Sequence, residues 1–286
     1  MSVSQLSADS DALMVADAID LPAYLERIGY HGPLVPTPEL LATLVERHMA
    51  AIPFEAIDVL LDRGVDLAPS AVDTKMLAGQ RGGYCFEHAS LLRRALLAIG
   101  FPVESHLARV WVHGGLEAPV PAATHASLKV SAGERLWLVD VGFGGFMANQ
   151  PLVWQPDTPQ QTRFGAFRIT ETAHGFMVES QHRGRWSPLY EILDFDWQPV
   201  DFEMANHYVA EHPASHFRHE LMVARTQGDS RSTLAGNRLK IASVDGACDE
   251  RRLDADGLAD ALATVFGLPV AADWRPLLER VAAGTD

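Results

Sequence analysis

The sequence has few cysteines and no long apolar run, and these shortages narrow the class of protein. Only two cysteines, Cys85 and Cys248, occur among the 286 residues, so we expect no disulfide framework and a reducing, cytoplasmic compartment. No run of about 18 apolar residues is free of charge, so no membrane span is predicted. Residues 1–20 contain no lysine or arginine, which excludes the basic start of a signal peptide.

Basic residues are also scarce. The chain has 23 Lys and Arg residues against 37 Asp and Glu residues, which gives a formal net charge of −14. This surplus of acidic residues argues against nucleic acid or an anionic membrane as a partner, because few basic side chains are present to offset the repulsion between carboxylates and phosphates. It leaves an anionic small ligand possible, since a local site can differ from the whole surface.

Helical spacing dominates the first third of the chain. Asp20 is a predicted N-cap and Gly29 a predicted stop for the first helix, and Thr37 caps the second. A third helix begins near Cys85, carries apolar residues on one face and ends at Gly100. Residues 1–18, which precede these helices, are predicted to form a mobile tail.

Short segments rich in β-forming residues replace this spacing after residue 102, and they predict an antiparallel barrel or sandwich. Residues 150–161, which contain three prolines, are predicted to form a loop. The last third is mixed, with a helix predicted over residues 258–266. The predicted strands are residues 107–112, 126–130, 136–141, 168–170, 176–180, 186–189, 221–225 and 238–243.

The most informative segment is residues 81–87, Arg-Gly-Gly-Tyr-Cys-Phe-Glu. Its two glycines allow a tight turn before the third helix, which places Cys85 at or near the helix N-terminus. Unpaired N–H groups and the helix dipole favour the thiolate there, and a thiolate is a ready nucleophile. A free cysteine is more commonly a small buried apolar residue, so Cys85 alone leaves both interpretations open.

A thiol nucleophile needs a base and a group that orients the base. His125 stands at the start of a predicted strand, and Asp140 ends the strand that follows it. If these strands form a hairpin, the carboxylate lies beside the imidazole and fixes its tautomer. Each residue alone is a weak signal, because the chain has 12 histidines and an Asp before Gly is common in turns.

Between about Leu21 and Pro269, the sequence resembles the arylamine N-acetyltransferase family. The order of the Cys motif, the His and the Asp-Val-Gly-Phe-Gly run is highly specific to that family. The matching segments are residues 24–30, 52–55, 81–87, 124–125, 140–144 and 212–217.

The resemblance implies an α+β fold in three parts and a catalytic triad of Cys85, His125 and Asp140. The implied parts are an N-terminal helical bundle (19–101), an antiparallel β-barrel that carries the His and Asp (102–205), and a C-terminal α/β lid (206–286). The family resembles cysteine proteases in this Cys-His-Asp core.

The resemblance also implies a ping-pong reaction. The thiolate of Cys85 takes the acetyl group from acetyl-CoA, and an aromatic amine or hydrazine then removes it while His125 accepts the amine proton. The backbone N–H of Cys85 and one neighbouring N–H are the expected donors to the oxyanion. Acetyl-CoA is thus expected as the acyl donor, with no metal. Because CoA is polyanionic and the chain acidic, we expect weak, salt-sensitive CoA affinity.

Six further positions match family positions around the substrates. The amine pocket is expected to be lined by Phe54, Val110, Phe143 and Phe217, which would give an apolar slot suited to a flat ring. Thr124 and Gly144 match positions that approach CoA. For each apolar residue, plain core packing is the competing interpretation.

The sequence departs from the family at two positions. Relatives commonly carry Asn where this chain has Ala56 and Ala89. The triad is untouched, but the usual acceptor is less firmly implied. A branch of the family closes macrolactams from a polyketide thioester, with an acyl-carrier protein as a partner, and the same triad would serve that alternative.

Three other functions are weaker alternatives. A metal site at His212, His216 and His219 has helical spacing, but Pro213 favours a loop and no cysteine or carboxylate completes a ligand set. A papain-like hydrolase shares the triad but uses water as the acceptor, which an apolar pocket disfavours. A non-catalytic binding protein is the remaining class, and it predicts that Cys85 is dispensable.

Overall fold

Helices and antiparallel strands follow one another as the change of sequence pattern predicts. The computed structural model describes residues 18–112 and 115–284, so the predicted tail, apart from Ala18, lies outside the described residues. The helices are α1 (Leu21–Arg27), α2 (Pro38–Ala51), α3 (Ile57–Leu60), α4 (Pro69–Asp73), α5 (Cys85–Ile99), α6 (Pro199–Glu211), α7 (Ala255–Thr264) and α8 (Arg275–Ala282).

The strands belong to two antiparallel sheets. They are β1 (Phe54–Glu55), β2 (Val103–Val110), β3 (Ala123–Ala132), β4 (Arg135–Val139), β5 (Leu152–Val153), β6 (Gln160–Thr162), β7 (Gly165–Glu171), β8 (Gly175–His182), β9 (Arg185–Leu193), β10 (Met222–Gln227), β11 (Ser230–Ala235), β12 (Arg238–Ser243) and β13 (Cys248–Arg252).

The start and stop signals predicted for the three N-terminal helices, now α1, α2 and α5, are confirmed. The side chain of Asp20 accepts a hydrogen bond from the N–H of Ala23, and Thr37 accepts one from Leu40. Gly100 ends α5 with φ of 107°, a left-handed conformation that favours glycine. Because these signals act over three or four residues, they are readable from sequence without tertiary contacts.

The larger sheet forms the barrel, in the strand order β5-β4-β3-β2-β9-β8-β7-β6. Its two edge strands are joined by a side chain: Gln160 Oε1 accepts from the backbone N–H of Val153 at 2.7 Å, and Gln160 Nε2 donates to the Val153 carbonyl at 2.8 Å. The amide thus replaces a backbone partner and nearly closes the barrel. Of the two predicted alternatives, barrel and sandwich, the barrel is confirmed.

The prediction of a continuous loop over residues 150–161 is wrong at both ends, where β5 and β6 lie. Both strands are very short, and Pro151 and Pro159 precede them directly. Proline is tolerated at the start of a strand, and long-range pairing with β4 and β7 supplies the order that the local sequence does not encode.

The smaller sheet joins β1, from the N-terminal part of the chain, to four strands of the C-terminal part, in the order β1-β10-β11-β12-β13. Phe54 and Glu55 of β1 pair with Ala224 and Val223 of β10. One face of this sheet packs on α7 and α8 around Leu258, Phe266 and Trp274. The predicted domain boundaries stay predictions, but this pairing fixes the segment before α3 against the C-terminal part.

Several elements were not predicted, among them α6, β11 and β13. Helix α6 leaves apolar residues such as Val200 and Met204 exposed, strand β11 is rich in Ser and Thr, and β13 is exposed at every residue. None of these three therefore has the apolar periodicity by which an element is recognised.

Within the described ranges, no helix combines the length and the hydropathy that a membrane crossing requires.

Candidate active site

The nucleophile candidate Cys85 is the first residue of α5 and is 4% exposed. The two glycines before it are needed for space: a Cβ on Gly82 would lie 2.0 Å from the Pro53 carbonyl oxygen. Neither Gly82 nor Gly83 has a positive φ. The motif therefore brings the chain against β1 and directs the start of α5, with Cys85 on it, toward the barrel.

A buried ionic cluster supports this helix start. Glu87 accepts a hydrogen bond from the N–H of Tyr84, and Lys75 Nζ lies 2.8 Å from both Glu87 Oε1 and Asp58 Oδ2. The nearby carboxylates outweigh burial and raise the pKa of Lys75. Because Lys75 lies beside Glu87, this carboxylate, two residues after Cys85, opposes a thiolate less than a free carboxylate would.

Arg81 links the same cluster to the C-terminal part. Its guanidinium binds Glu55 at 2.8 Å and Asp58 at 3.1 Å, and its Cζ lies 4.7 Å from the ring centroid of Trp274. The Arg that opens the Cys motif thus fastens the nucleophile loop to two distant segments of the chain.

His125 and Asp140 meet as the hairpin hypothesis predicts. Strands β3 and β4 are adjacent, and His125 Nε2 lies 2.7 Å from Asp140 Oδ2. The other carboxylate oxygen, Oδ1, accepts the N–H of Gly142 at 2.9 Å. Both oxygens are therefore held, and the Asp fixes the ring orientation of a histidine that is only 2% exposed.

Charge around the imidazole favours its protonated form. Burial alone would lower the pKa of His125, but the charge of Asp140 and its hydrogen bond, together with the Cys85 side chain, raise it to about 10. Since Nε2 is committed to Asp140, Nδ1 is the ring nitrogen left to interact with Cys85. The three predicted triad members thus form one contiguous group.

A bulge in β3 shapes this end of the barrel. Ala108 pairs with His125 and Arg109 pairs with Ala123, so Thr124 is left without an opposing residue. The carbonyl oxygen of Thr124 lies 3.7 Å from Cys85 Sγ. The bulge places the predicted CoA-contacting residue directly beside the thiol.

Tyr190 is a member of the site that sequence reasoning missed. Its ring centroid lies 4.8 Å from those of both His125 and Phe143, and Asp140 is close enough to affect the pKa of its hydroxyl. Burial first, and then Asp140, raise the pKa of Tyr190. The residue lies at the end of the run Trp186–Tyr190, where the sequence reads as an ordinary strand, so no local signal marks it.

The predicted pocket residues gather around this group. Phe143 packs edge-on to His125 at 4.9 Å, while the rings of Phe54 and Phe217 lie 6.0 Å apart in the apolar cluster that contains Cys85. Val110 pairs with Tyr190 on the face that carries His125. Apolar side chains therefore surround the thiol, and the amine pocket that they would line stays a prediction.

Two glycines of the predicted Asp-Val-Gly-Phe-Gly run lie against the site. A Cβ on Gly142 would lie 2.7 Å from the Cα of Cys85, so only glycine lets this loop approach the thiol so closely. Gly144, a predicted CoA contact, has φ of 77° and lies beside the ring of Phe54. The second cysteine, Cys248, is exposed on β13 and takes no part.

A second histidine system lies behind the same helix. Tyr24 OH lies 3.1 Å from His48 Nδ1, His48 Nε2 lies 2.8 Å from His88 Nδ1, and His88 Nε2 lies 3.2 Å from the Pro53 carbonyl oxygen. All three side chains have no exposed surface. Burial lowers the pKa of His88 to about 4 and that of His48 well below its usual value. A neutral hydrogen-bonded chain therefore joins α1, α2 and α5 to the residue before β1.

The histidines of the weak metal hypothesis lie after α6. His212 stacks on Tyr208, and its Nδ1 accepts the N–H of Ala214, while His219 Nε2 donates to the Pro213 carbonyl at 2.6 Å. Residues 18–112 and 115–284 hold no group of three His, Cys, Asp or Glu side chains arranged for a metal ion.

The two positions that depart from the family pattern lie close to the nucleophile. Ala56 is 3% exposed at the N-cap of α3, where it makes no side-chain cap. Ala89 is partly buried between the apolar cluster of Cys85 and the core of the helical part.

Comparison with known proteins decides the family. A family model described as N-acetyltransferase matches residues 37–275. An arylamine N-acetyltransferase of Mycobacterium tuberculosis is 37% identical over 257 residues, which cover 89% of this chain and 91% of that protein. This chain belongs to the arylamine N-acetyltransferase family.

Further arylamine N-acetyltransferases agree in sequence and in fold. The protein of Salmonella typhimurium, named arylamine N-acetyltransferase / N-hydroxyarylamine O-acetyltransferase, is 40% identical over 205 residues, 72% of each chain. The solved structure from M. tuberculosis superposes with a TM-score of 0.88 at 35% identity and covers 92% of this chain and 100% of its own. The predicted resemblance, the α+β fold and the class of acyltransferase are thereby confirmed.

Proposed function

We propose that this protein transfers an acetyl group from acetyl-CoA to an arylamine or arylhydrazine through an acetyl thioester on Cys85. One observation carries the proposal: in a chain of the arylamine N-acetyltransferase family, His125 lies between Cys85 and Asp140 with a pKa raised to about 10. A protonated imidazole beside a thiol at a helix start favours a thiolate–imidazolium pair at neutral pH.

The first half-reaction acylates the enzyme. Sγ of Cys85 attacks the acetyl carbon of acetyl-CoA, and N–H groups at the start of α5, that of Cys85 among them, stabilise the oxyanion. The carbon–sulfur bond to CoA then breaks. The imidazolium of His125 gives its proton to the departing CoA thiolate, which leaves as the free thiol.

The second half-reaction regenerates the enzyme. The amine nitrogen attacks the thioester carbon, and neutral His125 accepts the proton that this nitrogen loses. The bond to Sγ breaks, the N-acetyl product leaves, and the thiolate–imidazolium pair is restored. Asp140 holds the ring throughout by its hydrogen bond to Nε2.

The surroundings of the thiol suit an intermediate that water would destroy. Phe54 and Phe217 provide apolar surface around Cys85, Phe143 packs on the His125 ring, and the thiol itself is nearly inaccessible. A flat aromatic amine can pack on these rings, whereas a water molecule finds few hydrogen-bonding partners among them. This environment favours an amine over water as the acceptor and so disfavours the hydrolase alternative.

CoA is expected to approach along Thr124 and Gly144. Support comes from their position beside Cys85 and Phe54 and from a similar structure, the M. marinum arylamine N-acetyltransferase in complex with CoA, with a TM-score of 0.86 at 36% identity over 92% of this chain and 98% of that one. With a net charge of −14, weak affinity that falls with salt is expected. The cytoplasm is the proposed compartment.

Intact-mass measurement tests the proposal. Incubation with acetyl-CoA should add one acetyl group to the wild type and to a Cys248→Ala control, but none to Cys85→Ala. Addition of an arylamine should then remove the group and yield the N-acetylated amine. An unmodified wild-type mass, with no CoA released in the presence of the amine, would contradict acetyl transfer.

The macrolactam alternative has no support in the names of the relatives reported above. A panel of small arylamines against a long-chain acyl thioester decides the point directly. Faster turnover with acetyl-CoA and a small amine supports the proposal, whereas acylation by the long-chain thioester alone would favour the alternative.

A further inference from the structure

The segment that joins β4 to β5 touches both reactive members of the candidate triad. We name residues 142–147 of this segment the site loop. Gly142 lies against the Cα of Cys85, and the ring centroid of Phe143 lies 4.9 Å from that of His125. A small displacement of the site loop would therefore change the surroundings of the thiol and of the imidazole together.

The site loop has little regular structure of its own. Its middle, Gly144–Phe146, forms a single 3₁₀ turn, and the backbone N–H of Phe143 donates to Sδ of Met147 at 3.1 Å. A thioether sulfur is a weak acceptor, so this bond alone gives the loop limited rigidity. The position of the loop therefore depends on contacts from other elements.

The smaller sheet supplies such contacts from one face of β11, which lies between β10 and β12. Leu234 packs in the core around α7 and α8, so strand alternation turns Arg231 and Thr233 to the opposite face. A Cβ on Gly145 would lie 2.8 Å from Cγ2 of Thr233, so the backbone of the site loop packs closely on that face.

Arg231 holds the site loop directly. Its Nη2 donates to the carbonyl oxygen of Met147, and its Cζ lies 4.3 Å from the ring centroid of Phe164. Among the described residues, no carboxylate forms an ion pair with Arg231, and its buried Nε has no hydrogen-bond partner. The charge is thus directed at one backbone carbonyl, that of the residue whose sulfur accepts the N–H of Phe143.

The burial of Arg231 has an energetic cost, because a charge taken out of water loses its hydration. Burial lowers the pKa of Arg231 to about 10, so the guanidinium still carries its charge at neutral pH. An apolar side chain of similar volume would avoid this cost. Stability of the fold therefore does not require a charge at this position, whereas the hold on the site loop does require a donor.

We propose that Arg231 is a positioning residue for the transfer of the acetyl group to the amine, and that it acts through Met147 and Phe143. This role rests on the proposed function, in which the ring of Phe143 lines the amine pocket beside His125. The guanidinium fixes the Met147 carbonyl, and the Met147 sulfur fixes the backbone of Phe143. Acetylation of Cys85 depends less on Arg231, because the thiol is carried by α5 itself.

Separate rates for the two half-reactions test the proposal. Arg231→Met keeps an apolar stem against Phe164 but removes the donor, so deacetylation of acetyl-Cys85 by subsaturating para-anisidine should slow about tenfold, while acetylation should stay within about twofold of the wild type. Arg231→Lys, which keeps a charged donor, should recover most of the lost rate. Arg251→Met, an exposed control on β13, should match the wild type. Equal slowing of both half-reactions would overturn the proposal.

A double-mutant cycle tests the route through Phe143. Phe143→Leu removes the ring, so Arg231→Met should slow deacetylation little further in that background. Independent effects would instead multiply. A further loss in the double variant as large as that in Arg231→Met alone would overturn the assigned route.

A last measurement does not depend on acetyl transfer. Alkylation of Cys85 by N-ethylmaleimide, followed by intact mass in a Cys248→Ala background, reports access to the thiol past the site loop. Arg231→Met should speed this alkylation about fivefold or more, because the loop opens locally more often, and the midpoint of urea denaturation should not change. If acetyl-CoA does not acetylate the wild type, the proposed function fails, but faster alkylation would still support placement of the loop by Arg231. An unchanged alkylation rate would overturn that placement.

Discussion

Two buried imidazoles close to Cys85, that of His125 on β3 and that of His88 on α5 itself, differ in what their ring nitrogens contact. His125 meets the carboxylate of Asp140 and the thiol of Cys85, and its pKa is raised to about 10. His88 meets His48 and a backbone carbonyl, and its pKa is lowered to about 4. Both rings have almost no exposed surface, so the difference comes from their partners.

The comparison distinguishes His125, the candidate catalytic histidine, from His88, whose hydrogen bonds support the position of α5. The hydrogen bonds from Tyr24 to the Pro53 carbonyl form a series in which each donor has one acceptor: Tyr24 donates to His48, His48 to His88, and His88 to the carbonyl. Such a chain is satisfied without charge and holds α5 in place. Beside Asp140, in contrast, the protonated form of the His125 imidazole is favoured, as the proposed acetyl transfer requires.

The largest expected effect follows from removal of the charge beside His125. Asp140→Asn keeps the shape but takes away the carboxylate, so the pKa of His125 should fall toward the range of His88. We expect acetylation of Cys85 to slow by about 10³-fold or more, as in other triads that lose their Asp. Single-turnover acetylation measured by mass checks this, with the exposed Asp260→Asn as the control. A rate within tenfold of the wild type would contradict the assigned role of Asp140.

The second prediction concerns the loss of the buried, neutral hydrogen bonds among Tyr24, His48 and His88. His48→Phe removes two hydrogen bonds and leaves the Tyr24 hydroxyl and a His88 ring nitrogen buried without partners. The free energy of unfolding should fall by about 3 kcal/mol, as measured by urea denaturation. Tyr24→Phe, which removes only one hydroxyl, should lower it by about 1 kcal/mol, and the exposed His182→Phe should leave it unchanged. Equal values for all variants would show that the chain does not stabilise the fold.

How far the sequence predicts each histidine system depends on the range of the signal. The helix caps, the Cys motif and the Asp-Val-Gly-Phe-Gly turn are local patterns, so the triad and the start of α5 were predictable. His48 was predicted only as part of an apolar helix face, because its partners, Tyr24 and His88, lie 24 and 40 residues away. No pattern in one segment encodes such a contact.

Tyr190 was missed for a related reason. Its position beside Asp140 and His125 depends on the pairing of β9 with β2, whose register is set by long-range contacts. Edge strands β5 and β6 likewise depend on partners, and one of these contacts is made by the side chain of Gln160. The sequence indicates which residues are reactive, but the pairing of strands decides which residues surround them.

The third prediction uses the opposite pKa shifts of the two histidines. In the unfolded chain both titrate near about 6.5. His88, lowered to about 4 when folded, therefore contributes less stability as the pH falls from 6.5 toward 4, since only the unfolded state binds the proton. His125, raised to about 10, contributes stability that is fully present below pH about 6.5 and is lost as the pH rises through 10.

Urea denaturation at two pH values isolates the His88 term. The stability difference between the wild type and His88→Leu should narrow by about 2 kcal/mol from pH about 7.5 to about 5, because only the wild type loses the His88 contribution. The difference between the wild type and the exposed His182→Leu should stay constant. A His88 difference that does not change with pH would contradict a neutral, buried imidazole.

The smallest expected effect concerns Tyr190, which touches the His125 site without donating or accepting the reacting proton. Tyr190→Phe removes the hydroxyl that lies near Asp140 but keeps the ring against His125, so Cys85 acetylation should slow only about fivefold. The freed carboxylate would pair more strongly with His125, which should move the alkaline limb of the pH–rate profile to higher pH. Tyr208→Phe, on the surface of α6, is the control. If Tyr190 only packs against His125, the pH–rate profile should not change. An alkaline limb at the wild-type pH together with a wild-type rate would exclude Tyr190 as a positioning residue for Asp140.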